Sequence, residues 1–313
     1  MTSTPLPPVE TRLVRTLLNG AFAITAEITP PVSGAPEALL EMAEPLRGWV
    51  DAVNVTDGPR GRVHMSSLAA AAILAVHGID PVLQFTCRDR NRIALQSDLL
   101  GASALGVRNI LVLRGDEPDP NEVPPPKPVF DLDSRDLIHL AAKMRDGSAL
   151  PSGREIISPP RFFIGAADTP IDPAPGWRPT SLQRKVEAGA QFVQTQLCFD
   201  IDVVRRYAAR LEDTGLTDRV YLLIGLGPLA SARSARWMRD NLHGVIVPGH
   251  IIERLEKAGD PKGEGIRICA ELIEQLQLID GVSGAHLMAP GNIDSIPRAV
   301  QESGLGRQGR HSA

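Results

Sequence analysis

Cysteine is scarce in this 313-residue chain: Cys87, Cys198 and Cys269 lie far apart, with no Cys-x-x-Cys pair. Neither a disulfide framework nor a thiolate zinc site is signalled, and a reducing cytoplasm fits. Long apolar runs are missing too, since no stretch approaches the ~20 residues of a membrane span. The opening residues, Met1-Thr-Ser-Thr-Pro-Leu-Pro-Pro8, lack the basic region and apolar run of a secretory signal, so we expect neither export nor membrane insertion. Charge of one sign is not in excess: the formal net charge of -4 provides no electrostatic reason to expect nucleic acid or an anionic membrane as partner. No Gly-x-Gly-x-x-Gly follows the first apolar run and no Walker-type Gly-Lys-Ser/Thr occurs, which disfavours Rossmann and P-loop phosphate cradles. The lack of a Gly-x-Ser-x-Gly elbow argues against serine hydrolysis. His64, His243, His250 and His286 show no metal-ligand spacing; we read them as solvated or structural and expect no metal.

What is present is the balance of a soluble globular protein, 43% hydrophobic and 22% charged. Apolar runs of strand length recur near 22–28, 52–56, 81–86, 109–113, 162–166, 192–197, 220–225 and 284–289. Between them, segments of helical period span 37–46, 67–77, 92–105, 134–145, 180–188, 203–214, 230–242 and 263–279. Ser67 and Ser134 are candidate N-caps, and Gly78, Gly106, Gly147 and Gly215 candidate left-handed C-caps. Eight strand and helix pairs in strict alternation predict a parallel α/β sheet, and eight is the count that closes into a (β/α)8 TIM barrel. An open doubly wound sheet is the competitor. We expect an N-terminal extension over 1–20, a barrel over 21–303 and a flexible tail over 304–313. Two proline-rich loops interrupt the alternation, Glu117 to Asp133 and Ala167 to Pro179, each placed after a strand where barrels keep their sites.

Several strands end in chemistry. Asn109-Ile-Leu-Val-Leu-Arg-Gly-Asp116 stops at a basic residue, a glycine and a carboxylate; Phe22-Ala-Ile-Thr-Ala-Glu27 stops at an acid, Ala52-Val-Asn-Val-Thr56 at a hydroxyl and Phe192-Val-Gln-Thr-Gln196 at an amide. Parallel strands bring these ends to one rim, so the groups can share a pocket. Glu27, among apolar neighbours, sits where a carboxylate's pKa tends to rise, which suits a general acid; a structural salt bridge is the alternative. Asp116 can tune a ligand or simply cap its loop. Gln196 offers a donor and an acceptor to a heterocycle, or is a core amide. Trp177 can stack on a ligand ring or pin its loop. Arginines 60 and 62, the cluster Cys87-Arg-Asp-Arg-Asn-Arg92, and Arg184-Lys185 can hold phosphates or form solvated ion pairs.

In content and order, Ala26-Glu27-Ile-Thr-Pro-Pro31, Val55-Thr56, Thr86-Cys-Arg-Asp89, Leu113-Arg-Gly-Asp116, Arg184-Lys185-Val-Glu-Ala-Gly189 and Thr195-Gln-Leu-Cys-Phe-Asp200 resemble the methylenetetrahydrofolate reductase family over residues 20 to 300. Val55-Thr-Asp-Gly, Met65-Ser-Ser-Leu-Ala-Ala70 and Arg88-Asp-Arg-Asn-Arg92 are similar to the branch of acetogens and other specialised one-carbon metabolisers. The resemblance implies a barrel holding FAD, with NAD(P)H as co-substrate, that interconverts 5,10-methylenetetrahydrofolate and 5-methyltetrahydrofolate; the oxidative sense, in methyl-group catabolism, is one option. It implies that Glu27 is the general acid, that Asp116 tunes flavin and pterin, and that Gln196 hydrogen-bonds the folate. By the same resemblance, Thr56, Gln84, Arg114, Gly115, Asp116, Ala166, Arg184 and Lys185 fall at flavin-contacting positions, and Ser234 and Met238 on the substrate side. The chain departs from the housekeeping enzymes at Gln84 (histidine there), Ala167 (tyrosine) and Asn292 (arginine). Tetrahydrofolate derivatives are the expected ligands, in a homo-oligomer or a complex with other one-carbon proteins. Two rivals stand beside this reading: a folate methyltransferase barrel, and a folate-binding subunit that needs a partner for electrons.

Overall fold

The computed structural model describes residues 10–121 and 123–306; parts of the expected extension (1–9) and tail (307–313) lie outside the described residues. Eight strands, β1 (Ala23–Ile28), β2 (Ala52–Val55), β3 (Pro81–Thr86), β4 (Asn109–Leu113), β5 (Phe163–Asp168), β6 (Phe192–Leu197), β7 (Tyr221–Leu226) and β8 (Val282–Met288), form a closed barrel in chain order. All pairings are parallel, and β1 pairs with both β2 and β8, its Glu27 beside Asn54 on one side and Met288 on the other. The closed TIM barrel is therefore borne out and the open sheet is not.

The helices are α1 (Arg12–Leu18), α2 (Pro36–Ala43), α3 (Ser67–Val76), α4 (Arg92–Ala104), α5 (Ser134–Asp146), α6 (Thr180–Ala188), α7 (Ile201–Glu212), α8 (Ala232–Asn241), α9 (Gly249–Lys257), α10 (Pro261–Leu276) and α11 (Ser295–Glu302). Among the described residues, no helix is long and apolar enough to cross a membrane. The sequence reading omits three short helices, α1, α9 and α11. Two expected N-caps shift by one residue. Asp133 caps α5 by accepting from the Asp136 N–H at 2.7 Å, and Ser67 is already helical, its hydroxyl donating to Asp57 Oδ1 at 2.9 Å. Gly78, Gly106 and Gly215 are left-handed, whereas Gly147 is right-handed at φ -91°, so it is not a left-handed cap. Strand β5 runs on to Asp168, which takes Ala167 and Asp168 out of the expected loop and into the barrel wall.

Side chains alternate in and out along each strand, and the inward positions sort by height. At the N-terminal end Ala23, Ala52, Val82, Leu111, Phe163, Phe192 and Leu223 form an apolar layer, and Leu13, Val14 and Leu17 of α1 pack onto it as a plug. The Phe163 and Phe192 rings stack at 4.8 Å; a Cβ on Gly165 would meet Phe192 Cζ at 2.3 Å, so that ring requires the glycine. The plug is tied down by Thr11, whose hydroxyl donates to Asn109 Oδ1 at 3.0 Å, and by the Arg12 N–H on Asp80 Oδ2 at 2.6 Å. Outward residues of the strands meet the helices in a second, larger core.

Candidate functional site in the barrel mouth

Two residues above the apolar layer, the inward positions turn polar: Thr25, Asn54, Gln84, Gln194 and His286 are all at least nine-tenths buried. Burial at that level demands hydrogen-bond partners, and the five find one another and Glu27. Asn54 Nδ2 donates to Gln194 Oε1 at 2.6 Å, and Gln194 Nε2 donates to Thr25 Oγ1 at 2.9 Å and to Asn54 Oδ1 at 3.1 Å. Thr25 Oγ1 lies 2.9 Å from His286 Nδ1. That hydroxyl oxygen also accepts from Gln194, so Thr25 links the His286 ring to the buried amides. His286 Nε2 faces Glu27 Oε2 at 3.7 Å, and Gln84 Nε2 donates to the same oxygen at 2.6 Å. The Gln84 N–H thus holds Oε2, with the His286 ring beside it, and Oε1 has no hydrogen bond among the described residues.

Glu27, 24% exposed, opens onto a cavity of about 210 Å³ whose wall includes Gln84, Ala167, Asp168, Gln196 and His286. Lys185 Nζ donates to the Ala167 carbonyl at 2.6 Å and so steadies the end of β5. Asp168 accepts a hydrogen bond from the buried Tyr207 hydroxyl; burial, reinforced by that carboxylate, pushes the phenol well above its usual pKa and keeps it a donor. Trp177 packs 6.1 Å from the Tyr207 ring, which pins the second proline-rich loop. Gln196 has both ends engaged, its Nε2 on the His243 carbonyl at 3.2 Å and its Oε1 accepting the Leu197 N–H at 2.9 Å. The register shifts between β6 and β7 beside it, where Thr195 Oγ1 accepts the Gly225 N–H at 2.8 Å; such an irregularity re-aims side chains at a barrel rim.

A second group forms over β2, β3 and β4. Asp57 ties it together: it accepts from the Thr86 N–H at 2.9 Å and hydroxyl at 2.8 Å, and pairs with Arg90. Arg88 is buried, held by Asp89, and donates to the Gly58 carbonyl at 3.0 Å. Gly115, at φ 89°, leaves no room for a side chain, since a Cβ would sit 3.0 Å from Thr86 Cβ and 3.1 Å from Arg88 Cβ. Asp116 is exposed on the same rim, with Oδ2 accepting the Arg60 N–H at 2.9 Å; it does not line the cavity with Glu27 and Gln196. Arg114 turns outward, 4.2 Å over the Phe130 ring and 2.7 Å from Glu117. Thr56 Oγ1 is buried with no partner.

Of the remaining expected residues, Ala166 faces the helical layer, its neighbour Ala167 being the one on the cavity. Arg184 is exposed, with no ion-pair partner among the described residues. Ser234 is committed to a capping box with Ser231 at the start of α8, and Met238 packs on the edge of the core; neither lines the cavity. The barrel thus brings Glu27, Gln84 and Gln196 together and sets Asp116, Arg114 and Gly115 on the neighbouring loops. Sequence reasoning missed Thr25, Asn54, Gln194, Asp168 and the role of His286. A signal for three of them, Thr25, Asn54 and Gln194, was present: a polar residue interrupts an otherwise apolar strand two positions beyond an inward apolar one. Among the described residues, no three His, Cys, Asp or Glu side chains stand together as a metal site.

A parallel eight-stranded barrel, plugged below and carrying a supported carboxylate in its C-terminal mouth, has the layout of the TIM-barrel class, whose sites lie at that face. Within that class the chain belongs to the methylenetetrahydrofolate reductase family, whose model matches residues 12–304. It is 27% identical over 252 residues to a probable methylenetetrahydrofolate reductase (NADPH) of Caenorhabditis elegans, covering 78% of this chain and 35% of that protein. It is 25% identical over 285 residues to the 5,10-methylenetetrahydrofolate reductase of Salmonella typhimurium, covering 86% of each. The chain spans about a third of the length of the nematode relative. Among solved structures, a Clostridium thermocellum protein described as binding two copies of 5-methyl-5,6,7,8-tetrahydrofolic acid superposes with TM-score 0.62 at 14% identity, covering 94% of this chain and all of that one; at that identity the likeness is one of fold.

Proposed function

We propose that this chain is a flavin-dependent methylenetetrahydrofolate reductase that interconverts 5,10-methylenetetrahydrofolate and 5-methyltetrahydrofolate with a nicotinamide as co-substrate. The observation that carries the proposal is the Glu27 carboxylate on the cavity floor, one oxygen hydrogen-bonded by Gln84 and 3.7 Å from His286 Nε2, the other without a hydrogen bond among the described residues. Its role is to protonate N10 as the bond from the bridging carbon to N10 breaks, which opens the five-membered ring; in the oxidative sense the same carboxylate takes that proton back. The Gln84 amide holds Oε2 in place through both protonation states, so Oε1 stays directed to the substrate. Gln196 has an amide at the rim able to exchange its backbone partners for the edge of a pterin.

The fit of FAD to this mouth is supported by two features: the Thr56 hydroxyl is buried and unpartnered, and Arg184 is a cation without an ion-pair partner among the described residues. Thr56, Gly115, Arg184 and Lys185 would hold it, with Gln84 beside it. When bound, the flavin would supply hydride transfer, which no side chain performs.

The test is an absorption spectrum of the purified protein, then anaerobic titration with NADH or NADPH. A flavin spectrum that bleaches with nicotinamide and returns with 5,10-methylenetetrahydrofolate upholds the proposal. A colourless protein that takes up no added flavin refutes it and favours the methyltransferase barrel; a flavin reduced only when a second protein is added favours the subunit that relies on a partner.

A further inference from the structure

The end of the barrel away from Glu27 has a cavity of its own. It measures about 240 Å³ and lies between α1, the turn at 46–48 and the segments that lead into β2 and β3, with Arg12, Arg15, Arg47, Asp51 and Asp80 on its wall. Leu46, Val50 and Ile79, each no more than 8% exposed, give it one apolar side. Gly48 and Gly78, both left-handed at φ 78° and 73°, turn the chain at its edge without adding a side chain that would fill it. This space shares no lining residue with the cavity at Glu27.

Most of the charge on this wall is matched. Buried Asp51 accepts the Ile24 N–H at 2.7 Å and the Thr16 hydroxyl at 3.0 Å, with Arg12 Nε 3.5 Å away. Arg47 pairs with Glu44 at 2.9 Å and donates to the His77 carbonyl at 3.0 Å. Two groups of opposite sign are left over. Asp80 Oδ2 accepts the Arg12 N–H at 2.6 Å, while its Oδ1 has no hydrogen bond among the described residues. Arg15 has neither an ion pair nor a side-chain hydrogen bond among the described residues, and it stands one turn beyond Arg12 on the same face of α1. A carboxylate oxygen and a guanidinium thus face one cavity about a helical turn apart without meeting each other. A small molecule that carries both charges bridges them.

We propose that this cavity binds a free α-amino acid with an apolar side chain, its carboxylate on Arg15, its ammonium on Asp80 Oδ1 and its side chain against Leu46, Val50 and Ile79. A guanidinium meets a carboxylate through two parallel hydrogen bonds, and a carboxylate oxygen with an open lone pair accepts from an ammonium. A simple anion satisfies Arg15 but is repelled by Asp80, and a simple cation does the reverse, so the zwitterion is selected over either half. The apolar side disfavours a charged side chain, which would be desolvated there without a partner. The site is independent of the folate reading, since it lies outside the cavity where that chemistry takes place.

The probes are L-leucine, 4-methylpentanoate (leucine without its ammonium) and 3-methylbutylamine (leucine without its carboxylate), titrated by ligand-observed NMR against the full chain and against Arg15→Gln and Asp80→Asn. Leucine should bind with a Kd on the order of 1 mM, the range open to a ligand of about nine non-hydrogen atoms, and each analogue about tenfold more weakly, the effect of losing one charge-assisted hydrogen bond. Arg15→Gln should weaken leucine and 4-methylpentanoate about tenfold and leave the amine unchanged; Asp80→Asn should weaken leucine and the amine and leave 4-methylpentanoate unchanged. No leucine binding at roughly ten times the expected Kd overturns the proposal. Equal affinity for leucine and 4-methylpentanoate overturns it in favour of a simple anion site, and leucine binding that neither substitution alters places the ligand elsewhere and overturns it too. Arg15 is exposed, so Arg15→Gln keeps the test decisive if Asp80→Asn loosens α1. Any of these failures leaves the folate reading intact, because the flavin titration reports on the other cavity.

Discussion

Replacing Glu27 by glutamine removes a proton from the mouth while nearly preserving its shape. The carboxylate accepts from Gln84 Nε2 at 2.6 Å and faces His286 Nε2 at 3.7 Å, and a carboxamide oxygen in the same position still accepts from Gln84. Exchanging a charge-assisted hydrogen bond for a neutral one lowers stability by roughly 1 kcal/mol, which for a chain of this size moves Tm by only about 2 to 4 °C. A positioned general acid, by contrast, contributes roughly 100- to 10,000-fold in rate, equivalent to about 3 to 5 kcal/mol of barrier. Activity and stability should therefore part company. In anaerobic stopped-flow measurements, reduction of the holoenzyme by nicotinamide should stay near the native rate, while its reoxidation by 5,10-methylenetetrahydrofolate falls by roughly the factor expected for loss of the acid. Equal loss in both half-reactions would refute the acid role, and a Tm drop well beyond a few degrees would show that the carboxylate is chiefly structural.

Thr25→Val keeps the volume of a fully buried residue but strips partners from His286 Nδ1 and Gln194 Nε2, so urea unfolding should register a loss of roughly 3 kcal/mol; Thr25→Ser should restore most of it, and a near-native midpoint for the valine would break the proposed chain of hydrogen bonds. Leu13→Ala, in the plug and fully buried, should lower stability by roughly 3 kcal/mol with the affinity for folate retained, and a change under about 1 kcal/mol would mean that α1 does not seal the barrel. Burial pushes the Cys87, Cys198 and Cys269 thiols up from 9.0 to about 12, so the folded protein should resist thiol reagents at pH 8 and react fully once unfolded. The same shift has a sign for stability: the unfolded thiols ionise first as pH rises through about 9, so folding should weaken progressively from there towards 12, and a pH-independent midpoint across that window would contradict it.

Much of the architecture was legible because its signals are local. Runs such as Asn109-Ile-Leu-Val-Leu113 are too short and too apolar for surface helices, the segments between them carry helical period, and the strand assignments agree with the barrel to within a few residues. Glu27 and Gln196 were legible for the same reason, each standing near the end of an apolar run and hence on the rim. His286 was not, because a lone histidine in Val282-Ser-Gly-Ala-His-Leu-Met288 has no local feature that distinguishes a cavity wall from a packed core. Arg114 read as a cavity residue from its position after β4, yet the Phe130 ring and Glu117 draw it outward, and both belong to a loop whose path no periodicity describes.

The amino-acid sequence by itself determined the element types, their alternation and the rim on which the polar strand ends gather, since period and burial depend on neighbours along the chain. Tertiary structure alone decided that β8 closes on β1, that α1 plugs the barrel, that Thr25 meets His286 across 261 positions, and that Asp116 turns to Arg60 instead of joining Glu27. Those outcomes depend on register and on contacts between residues remote in sequence, where many pairings are sterically possible and the packing of the whole chain selects one.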